Sequence, residues 1–103
     1  MTITIDPSKV EAFAALTATR AAAAWTIASI HIGYQLGLYA ALAEGPGTAE
    51  QIARRAASNP RLTREWLNGQ VASEILQLDG DVYRLPTEHA AVLAVDDSPA
   101  FLG

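Results

Sequence analysis

The fold is decided by the stretch from Arg61 to Leu76, RLTREWLNGQVASEIL. It follows Asn59, a helix cap, and Pro60, which suits the first helical position because its missing N–H would have no helical partner there. The apolar residues of the stretch recur at helical spacing and predict one buried stripe, formed by Leu67, Val71 and Ile75. The stretch therefore has the form of the second helix of a helix-turn-helix.

The neighbouring segments predict the rest of a winged helix. Upstream, Thr48 and Gln51 form a capping-box pattern, so we expect a helix from there to about Ala57. Downstream, apolar runs at 75–78 and 82–85 enclose an Asp-Gly-Asp turn, which predicts a tight β-hairpin with glycine at a positive φ. Thr87 is expected to cap a last helix. The predicted fold class is mainly α, a winged helix-turn-helix with a short β-hairpin wing.

The residues before this unit predict an N-terminal helical arm. Pro7 opens a first helix, and a second helical stretch is expected from about Ala21 to Gln35. Gly33 and Gly37 mark a break, or, with equal support, a seam where another helix approaches closely. The expected domains are the arm at 1–47, the winged-helix unit at 48–95 and the start of a linker or tail at 96–103.

Composition limits the classes of protein that the chain can belong to. Its 103 residues are enough for one domain, and half of them are apolar. The absence of cysteine excludes disulfides and thiolate metal sites, and no secretory signal pattern is present, so we expect a cytoplasmic protein. Residues 21–43 lack charge over a length that could span a bilayer, but polar residues interrupt them and no basic cluster flanks them. A helix buried in a dimer interface is the expectation, with no membrane.

The second helix of the helix-turn-helix has little chemistry for reading DNA. Its expected outward face carries one cation, one anion, one amide and one methyl, from Arg61, Glu65, Asn68 and Ala72. The wing tip, Asp79-Gly80-Asp81, would be repelled by phosphates, and the net charge of −4 adds to this repulsion. The sequence therefore disfavours nucleic acid as a partner, and a DNA-binding regulator is kept only as an alternative.

Three residues are candidates for lining a substrate pocket: Trp25, His31 and Tyr34. Together they could hold an aromatic or polyketide-like substrate, and His31 would offer one acid/base group. A histidine hydrogen-bonded within a helix interface is the better supported interpretation, so no catalytic residue is assigned. No metal site is expected, because His89 and its neighbour Glu88 diverge on a helix. Trp66 is expected to be a core or interface aromatic.

Several motifs, taken together in order, resemble one family. They are Leu36-Gly37-Leu38-Tyr39-Ala40-Ala41-Leu42, Thr48-Ala49-Glu50-Gln51-Ile52-Ala53, Arg64-Glu65-Trp66-Leu67, Tyr83-Arg84-Leu85-Pro86-Thr87-Glu88-His89-Ala90 and Asp97-Ser98-Pro99. The set resembles the N-terminal winged-helix dimerisation domain of bacterial class I S-adenosylmethionine-dependent methyltransferases. Glu74 departs from that pattern, since a small residue such as glycine is expected there.

The resemblance implies a division of labour within the enzyme. This region would dimerise through its first helices and wall the substrate pocket, while a separate Rossmann-like domain binds S-adenosylmethionine and carries catalysis. The chain has no Gly-x-Gly-x-Gly turn after a strand, so no cofactor site is expected in it, and S-adenosylmethionine is implied only for the full enzyme. By resemblance, the enzyme is bacterial and belongs to secondary metabolism.

The predicted function is that of a dimerisation and substrate-pocket domain, in a homodimer, with a methyltransferase catalytic domain or subunit as a partner. A second hypothesis is a stand-alone protein that binds a small molecule, acts like a cyclase, or serves as an auxiliary subunit. A third is the winged-helix DNA-binding regulator described above.

Overall fold

The computed structural model describes residues 3–94, which form five helices and one β-hairpin. The elements in chain order are α1 (Pro7–Gln35), α2 (Leu38–Ala43), α3 (Ala49–Ala56), α4 (Pro60–Ala72), β1 (Gln77–Asp79), β2 (Val82–Arg84) and α5 (Thr87–Leu93). This order confirms the winged helix-turn-helix with its short wing. The predicted tail at 96–103, residue 95 of the predicted winged-helix unit and the Asp97-Ser98-Pro99 motif lie outside the described residues.

The predicted helix caps are present with their expected partners. The Asn59 side chain accepts a hydrogen bond from the Leu62 amide at 3.0 Å. The Thr48 hydroxyl accepts from the Gln51 amide at 3.2 Å, and the Gln51 side chain accepts from the Thr48 amide at 2.9 Å. Each cap satisfies amides that the first helical turn leaves without partners, which is why α3 and α4 begin where they do. The last helix differs slightly, because Pro86 occupies the cap position and Thr87 is already helical.

The two helical stretches predicted for the arm are one continuous helix of 29 residues. No proline or glycine interrupts positions 8–32, and the alanines there are the best helix formers. The predicted break falls after Gln35, where Gly37 has φ +73° and starts the turn into α2. Such a left-handed conformation costs glycine little because it has no Cβ.

By length and composition, α1 could cross a membrane: an 18-residue window has a mean hydropathy of 1.2, and none of it is buried. The uncharged part of the helix, however, covers only residues 21–35, because Arg20 precedes it and α1 ends at Gln35. Fifteen helical residues span about 22 Å, whereas the hydrocarbon core of a bilayer is about 30 Å thick. The uncharged residues that follow belong to α2, which is packed into the protein core.

The hydrophobic core lies between α2, the helix-turn-helix and the wing. Its buried side chains are Leu38, Tyr39, Ala41, Leu42, Ala49, Ile52, Leu67, Leu76, Tyr83, Leu85 and Leu93. In the predicted stripe of α4, Leu67 is fully buried, while Val71 and Ile75 are half-buried against the same core. The core therefore includes α2, although the predicted arm at 1–47 contains this helix. The boundary at residue 47 stays a prediction.

The wing is a short antiparallel hairpin in which Leu78 pairs with Tyr83. Gly47 extends it through two backbone hydrogen bonds with Tyr83, of 3.1 and 2.8 Å. The hairpin follows α4 through Glu74, which has φ +63°. This left-handed conformation, which favours glycine, explains why a small residue is expected at position 74, and it costs a glutamate about 1 kcal/mol. The pairing ties the segment before α3 to the wing.

Trp66 joins α4 to the C-terminal half of α1. Its indole Nε1 donates a hydrogen bond to the Ser29 carbonyl at 2.9 Å, and its ring meets Tyr39 edge-on with 5.1 Å between centroids. The indole also covers Gly33, where a Cβ atom would lie 2.2 Å from Trp66 Cζ2. The prediction for Trp66 is confirmed. Gly33 permits close packing within the chain, so the seam predicted at this glycine is wrong as a contact with another molecule.

A series of hydrogen-bonded polar side chains, partly inside the core, fixes α1 against α2 and α4. The Tyr39 hydroxyl donates to Gln70 Oε1, and Gln70 Nε2 donates to the Ser29 hydroxyl at 2.8 Å. Gln70 is only 1% exposed, and burial raises the pKa of Tyr39 well above its usual value. Both the oxygen and the nitrogen of the Gln70 side-chain amide thereby have hydrogen-bond partners inside the core.

Gln70→Leu is expected to lower the free energy of unfolding by about 1–3 kcal/mol, because it leaves the buried Tyr39 hydroxyl without its acceptor. Urea unfolding followed by circular dichroism measures this change. The matched control is Gln77→Leu, an exposed glutamine of β1 whose loss should change stability by less than about 0.5 kcal/mol. Equal effects of the two substitutions would show that the hydrogen bonds of Gln70 contribute nothing to the free energy of unfolding.

Candidate functional site

The N-terminal arm makes α1 an exposed helix for most of its length. Every residue from 3 to 25 is exposed, and burial on α1 begins only at Thr26. The radius of gyration is 17.8 Å, against about 13 Å for a compact chain of this length. The arm thus presents side chains that the rest of the described chain does not cover.

One side of α1 is apolar from Ala14 onward, and we call this side, together with the C-cap residue Leu36, the alanine face. Its residues follow one another three or four positions apart and are all exposed: Ala14, Ala18, Ala21, Trp25, Ala28, Ile32 and Leu36. Trp25 is 76% exposed, so it is the largest apolar group that the arm offers to solvent. The three- and four-residue spacing of this face is the pattern by which two helices pack along a common seam.

The structure does not bring the three predicted pocket residues together within one chain. Tyr34 lies nine positions after Trp25, which at about 100° per residue places the two on opposite sides of α1. His31 and Tyr34 are neighbours on the side away from the alanine face. The His31 side chain is exposed and makes no hydrogen bond within residues 3–94, so the hydrogen-bonded histidine expected from the sequence is not observed.

Tyr34 lines a cavity of about 300 Å³ where α1, α2 and the end of α5 meet. The other lining residues are Gln35, Gly37, Tyr39, Ala40, Leu93 and Ala94. The cavity thus lies beside Ala94, the last described residue. Of the three predicted pocket residues, Tyr34 alone lines one of the cavities of residues 3–94 that we describe.

A second cavity, of about 420 Å³, lies beside the alanine face, and we call it the apolar groove. Ile32 and Leu36 belong to both surfaces. The remaining lining residues come from the start of α2, from the end of α3 and the turn after it, and from α4: Leu38, Ala56, Ala57, Ser58, Asn59, Leu62, Thr63 and Trp66. Leu62 is 55% exposed on the first turn of α4. No motif in the sequence indicates this groove.

The polar residues on the outer face of the helix-turn-helix are paired with one another. The Arg64 guanidinium contacts the Glu50 carboxylate, and the Tyr83 hydroxyl donates to the Asn68 side chain. A hydrogen bond from the Glu50 backbone amide, followed by the charge of Arg64, lowers the pKa of Glu50. The groups best placed to contact a nucleic acid thus already have partners within the chain.

His89 has a structural position. Its Nδ1 lies 2.7 Å from the Ile75 carbonyl oxygen, which links α5 to the start of the wing. Within residues 3–94, no three His, Cys, Asp or Glu side chains lie close enough together to hold a metal ion. His89 therefore acts as a packing contact between two elements.

The described residues do not fit S-adenosylmethionine binding of the Rossmann type. That mode of binding uses the carboxyl edge of a parallel sheet, with a glycine-rich turn leading into a helix. The one sheet within residues 3–94 has two antiparallel strands, and its Gly80 turn leads into the second strand. A cofactor of this kind would need residues outside those described.

A known methyltransferase is similar to this chain in sequence. The N,N-dimethyltransferase OxyT of Streptomyces rimosus is 39% identical over 75 residues, which are 73% of this chain and 22% of that protein. The chain thus spans about a fifth of the length of this relative.

Solved structures of methyltransferases contain the same fold. The structure described as PigF with SAH superposes with a TM-score of 0.75 and 25% identity, over 84% of this chain and 26% of that one. The mitomycin 7-O-methyltransferase MmcR superposes with a TM-score of 0.71 and 24% identity, over 89% of this chain and 28% of that one. These matches show the fold of the arm and the winged helix together.

The family assignment rests on the match of a family model to most of the described chain. The model is described as the Rv2258c-like winged HTH domain and matches residues 21–95. With the helix order, the capped helix-turn-helix and the hairpin wing all present, the chain belongs to the Rv2258c-like winged HTH domain family, whose fold also forms part of known methyltransferases.

Proposed function

We propose that these residues are the dimerisation and substrate-pocket domain of a methyltransferase-like protein. The observation that carries the proposal is the alanine face, an apolar seam along a helix whose first 19 residues are all exposed in the described chain. OxyT, which the chain resembles over 73% of its length, is a methyltransferase, and it provides the context of methyl transfer.

The surface area of the chain supports a dimer. The chain exposes 7108 Å², whereas a compact monomer of 10.9 kDa exposes about 5600 Å². Residues 7–25 of α1, all of them exposed, contribute to this excess. Packing two alanine faces together would cover the apolar part of their surface, which supports a homodimer.

The Tyr34 cavity supports the substrate-pocket part of the proposal. Two aromatic residues, Tyr34 and Tyr39, line it, and it lies beside Ala94, the last described residue. The substrate class is a small organic molecule, in keeping with the mitomycin named for one structural neighbour. In this account S-adenosylmethionine binds to the catalytic domain, and the whole protein is a cytoplasmic bacterial enzyme of secondary metabolism.

Titration of residues 1–103 with S-adenosylmethionine in a calorimeter tests this division of labour. The expected result is no binding heat from a chain that light scattering shows to be dimeric. A saturable 1:1 heat would contradict the assignment of the cofactor to another domain. A monomeric chain would contradict the dimerisation role.

The paired polar residues on the helix-turn-helix argue against a DNA-binding regulator. A DNA-binding winged helix needs free cations on this face, whereas Arg64 is paired with Glu50 and the wing tip carries Asp79 and Asp81. We expect no shift of a random DNA duplex at micromolar protein and low salt, where phosphate contacts are strongest. Salt-sensitive binding would instead favour the regulator.

A further inference from the structure

We propose that the chain binds a small organic amine in a cavity beside the last described helix, which we call the α5 cavity. The apolar part of the amine would lie on aliphatic side chains, and its ammonium group would lie between Glu74 and Glu88. This inference goes beyond the proposed function and needs neither the dimer nor the Tyr34 cavity.

The α5 cavity has a volume of about 310 Å³ and lies where α1, the connection after α4 and α5 meet. This volume is near the lower end of the range for small-molecule pockets, about 300–1,000 Å³. Its floor is aliphatic: Leu93 is buried, and Ile30, Ile75 and Val92 are half-buried against the core. The fold therefore holds this apolar surface in place before any ligand arrives.

Two carboxylates border the floor without a compensating cation. Glu74 and Glu88 line the cavity and are exposed, and their side chains make no hydrogen bond or ion pair within residues 3–94. No lysine or arginine is among the described residues that line the cavity. The ion pairs found in the described part of the chain join residues of the helix-turn-helix instead. The negative charge at the cavity is thus open to a cation from outside the chain.

The third polar side chain at the cavity, His89, also favours a ligand that donates hydrogen bonds. Its Nδ1 lies 2.7 Å from the Ile75 carbonyl oxygen, which can only accept, so Nδ1 carries a proton. In the neutral imidazole, Nε2 is then an acceptor, as the two carboxylates are. An ammonium group donates three hydrogen bonds and carries the opposite charge, whereas a carboxylate or phosphate ligand would be repelled.

The spacing of these groups suits an organic molecule and not a metal ion. Within residues 3–94, no three His, Cys, Asp or Glu side chains lie close enough together to hold a metal. An amine on a carbon chain needs no such close set, because burial of its methylene groups on the floor adds to the attraction between charges. A molecule with only one of these two features should bind more weakly.

Titration of the chain with n-octylamine, followed by NMR of its amide resonances, tests the assignment. This probe joins an aliphatic chain to an amine that is charged at about pH 7, as lysine is. We expect saturable shifts at residues 74–75 and 88–93 and at Ile30. Because the attraction between exposed charges is modest, n-octanol should bind only about threefold to tenfold more weakly, and octanoate more weakly still.

Substitutions of single carboxylates separate the effect of charge from that of shape. Glu74→Gln and Glu88→Gln should each weaken n-octylamine binding about two- to fivefold and leave n-octanol binding unchanged. Glu44→Gln is the matched control, because Glu44 is an exposed carboxylate at the end of α2 and does not line the cavity. It should leave both affinities unchanged. Circular dichroism verifies that all three variants fold.

Three results would overturn the inference. Equal affinities for n-octylamine and n-octanol would show that the carboxylates do not select a cation. Shifts spread over the whole surface, or centred on the alanine face or the apolar groove, would show that the amine does not bind at the α5 cavity. Equal effects of Glu44→Gln and Glu74→Gln would reduce the selection to the net charge of the chain.

The mass of the chain, measured in the same samples, separates this inference from the proposed function. A monomer that binds n-octylamine at the α5 cavity would contradict the dimer and leave the amine site standing. A dimer that binds n-octylamine no better than n-octanol would contradict the amine site and leave the proposed function standing.

Discussion

Ala21→Glu is expected to convert the dimer into a monomer, with a dimer dissociation constant raised by at least about 100-fold, or roughly 3 kcal/mol. The substitution places a carboxylate in the middle of the alanine face, where dimerisation would strip its water and bring it close to the same group on the other copy. Because Ala21 is exposed in the single chain, folding of the monomer should be unaffected. Light scattering coupled to size exclusion measures the mass.

Ala23→Glu is the control for this experiment. Ala23 is also an exposed alanine of the same helix, but two residues turn it by about 200°, to the side opposite Ala21. The new charge is the same and the helix propensity changes equally, so the dimer should persist. If both variants remain dimeric, the alanine face is not the interface.

Gly33→Ala is expected to destabilise the fold by about 3 kcal/mol, a large share of the 5–15 kcal/mol that usually holds a domain together. Its new methyl group would lie 2.2 Å from Trp66 Cζ2 and 2.9 Å from Tyr39 Cε2, so the indole must move and lose its hydrogen bond to Ser29. Urea unfolding followed by tryptophan fluorescence reports the change directly.

Gly69→Ala provides the opposite expectation for the same substitution. Gly69 lies in α4, and a Cβ atom there would meet nothing within 4 Å. Alanine should therefore stabilise the helix by up to about 1 kcal/mol through its better helix propensity. Similar effects at the two glycines would contradict the close contact described for Gly33.

Local sequence signals predicted much of the winged helix. Asn59 and Thr48 each accept a hydrogen bond from an amide three residues later, and Gly80 turns a two-residue hairpin with φ +63°. These features depend only on residues that are close in sequence. They could be placed before any tertiary contact was known.

Features that depend on distant residues escaped the sequence analysis. Gln70 forms hydrogen bonds with Tyr39, 31 positions earlier in the sequence, and with Ser29, 41 positions earlier. Nothing in its local sequence distinguishes Gln70 from an exposed glutamine. Likewise, the role of Gly33 depends on the Trp66 ring that packs over it. The spacing of Gly33 and Gly37 in the sequence suggested a seam with another helix instead. The apolar groove has no local sequence signal because its walls come from four helices.

The candidate site illustrates the same limit. Trp25, His31 and Tyr34 were grouped because they are near one another in an uncharged segment, yet one helix displays them on different sides. Trp25 belongs to the alanine face, and Tyr34 lines the cavity near α5. The sequence identified residues that the proposed function uses, but the helix geometry assigns them to two different surfaces.

Sedimentation equilibrium of the unaltered chain, from about 1 to 100 µM, tests the central claim most directly. The claim is that the alanine face of α1 exists to be covered by a second copy. Our account predicts a mass twice the 10.9 kDa of one chain over most of this range. A mass of one chain at every concentration would contradict it.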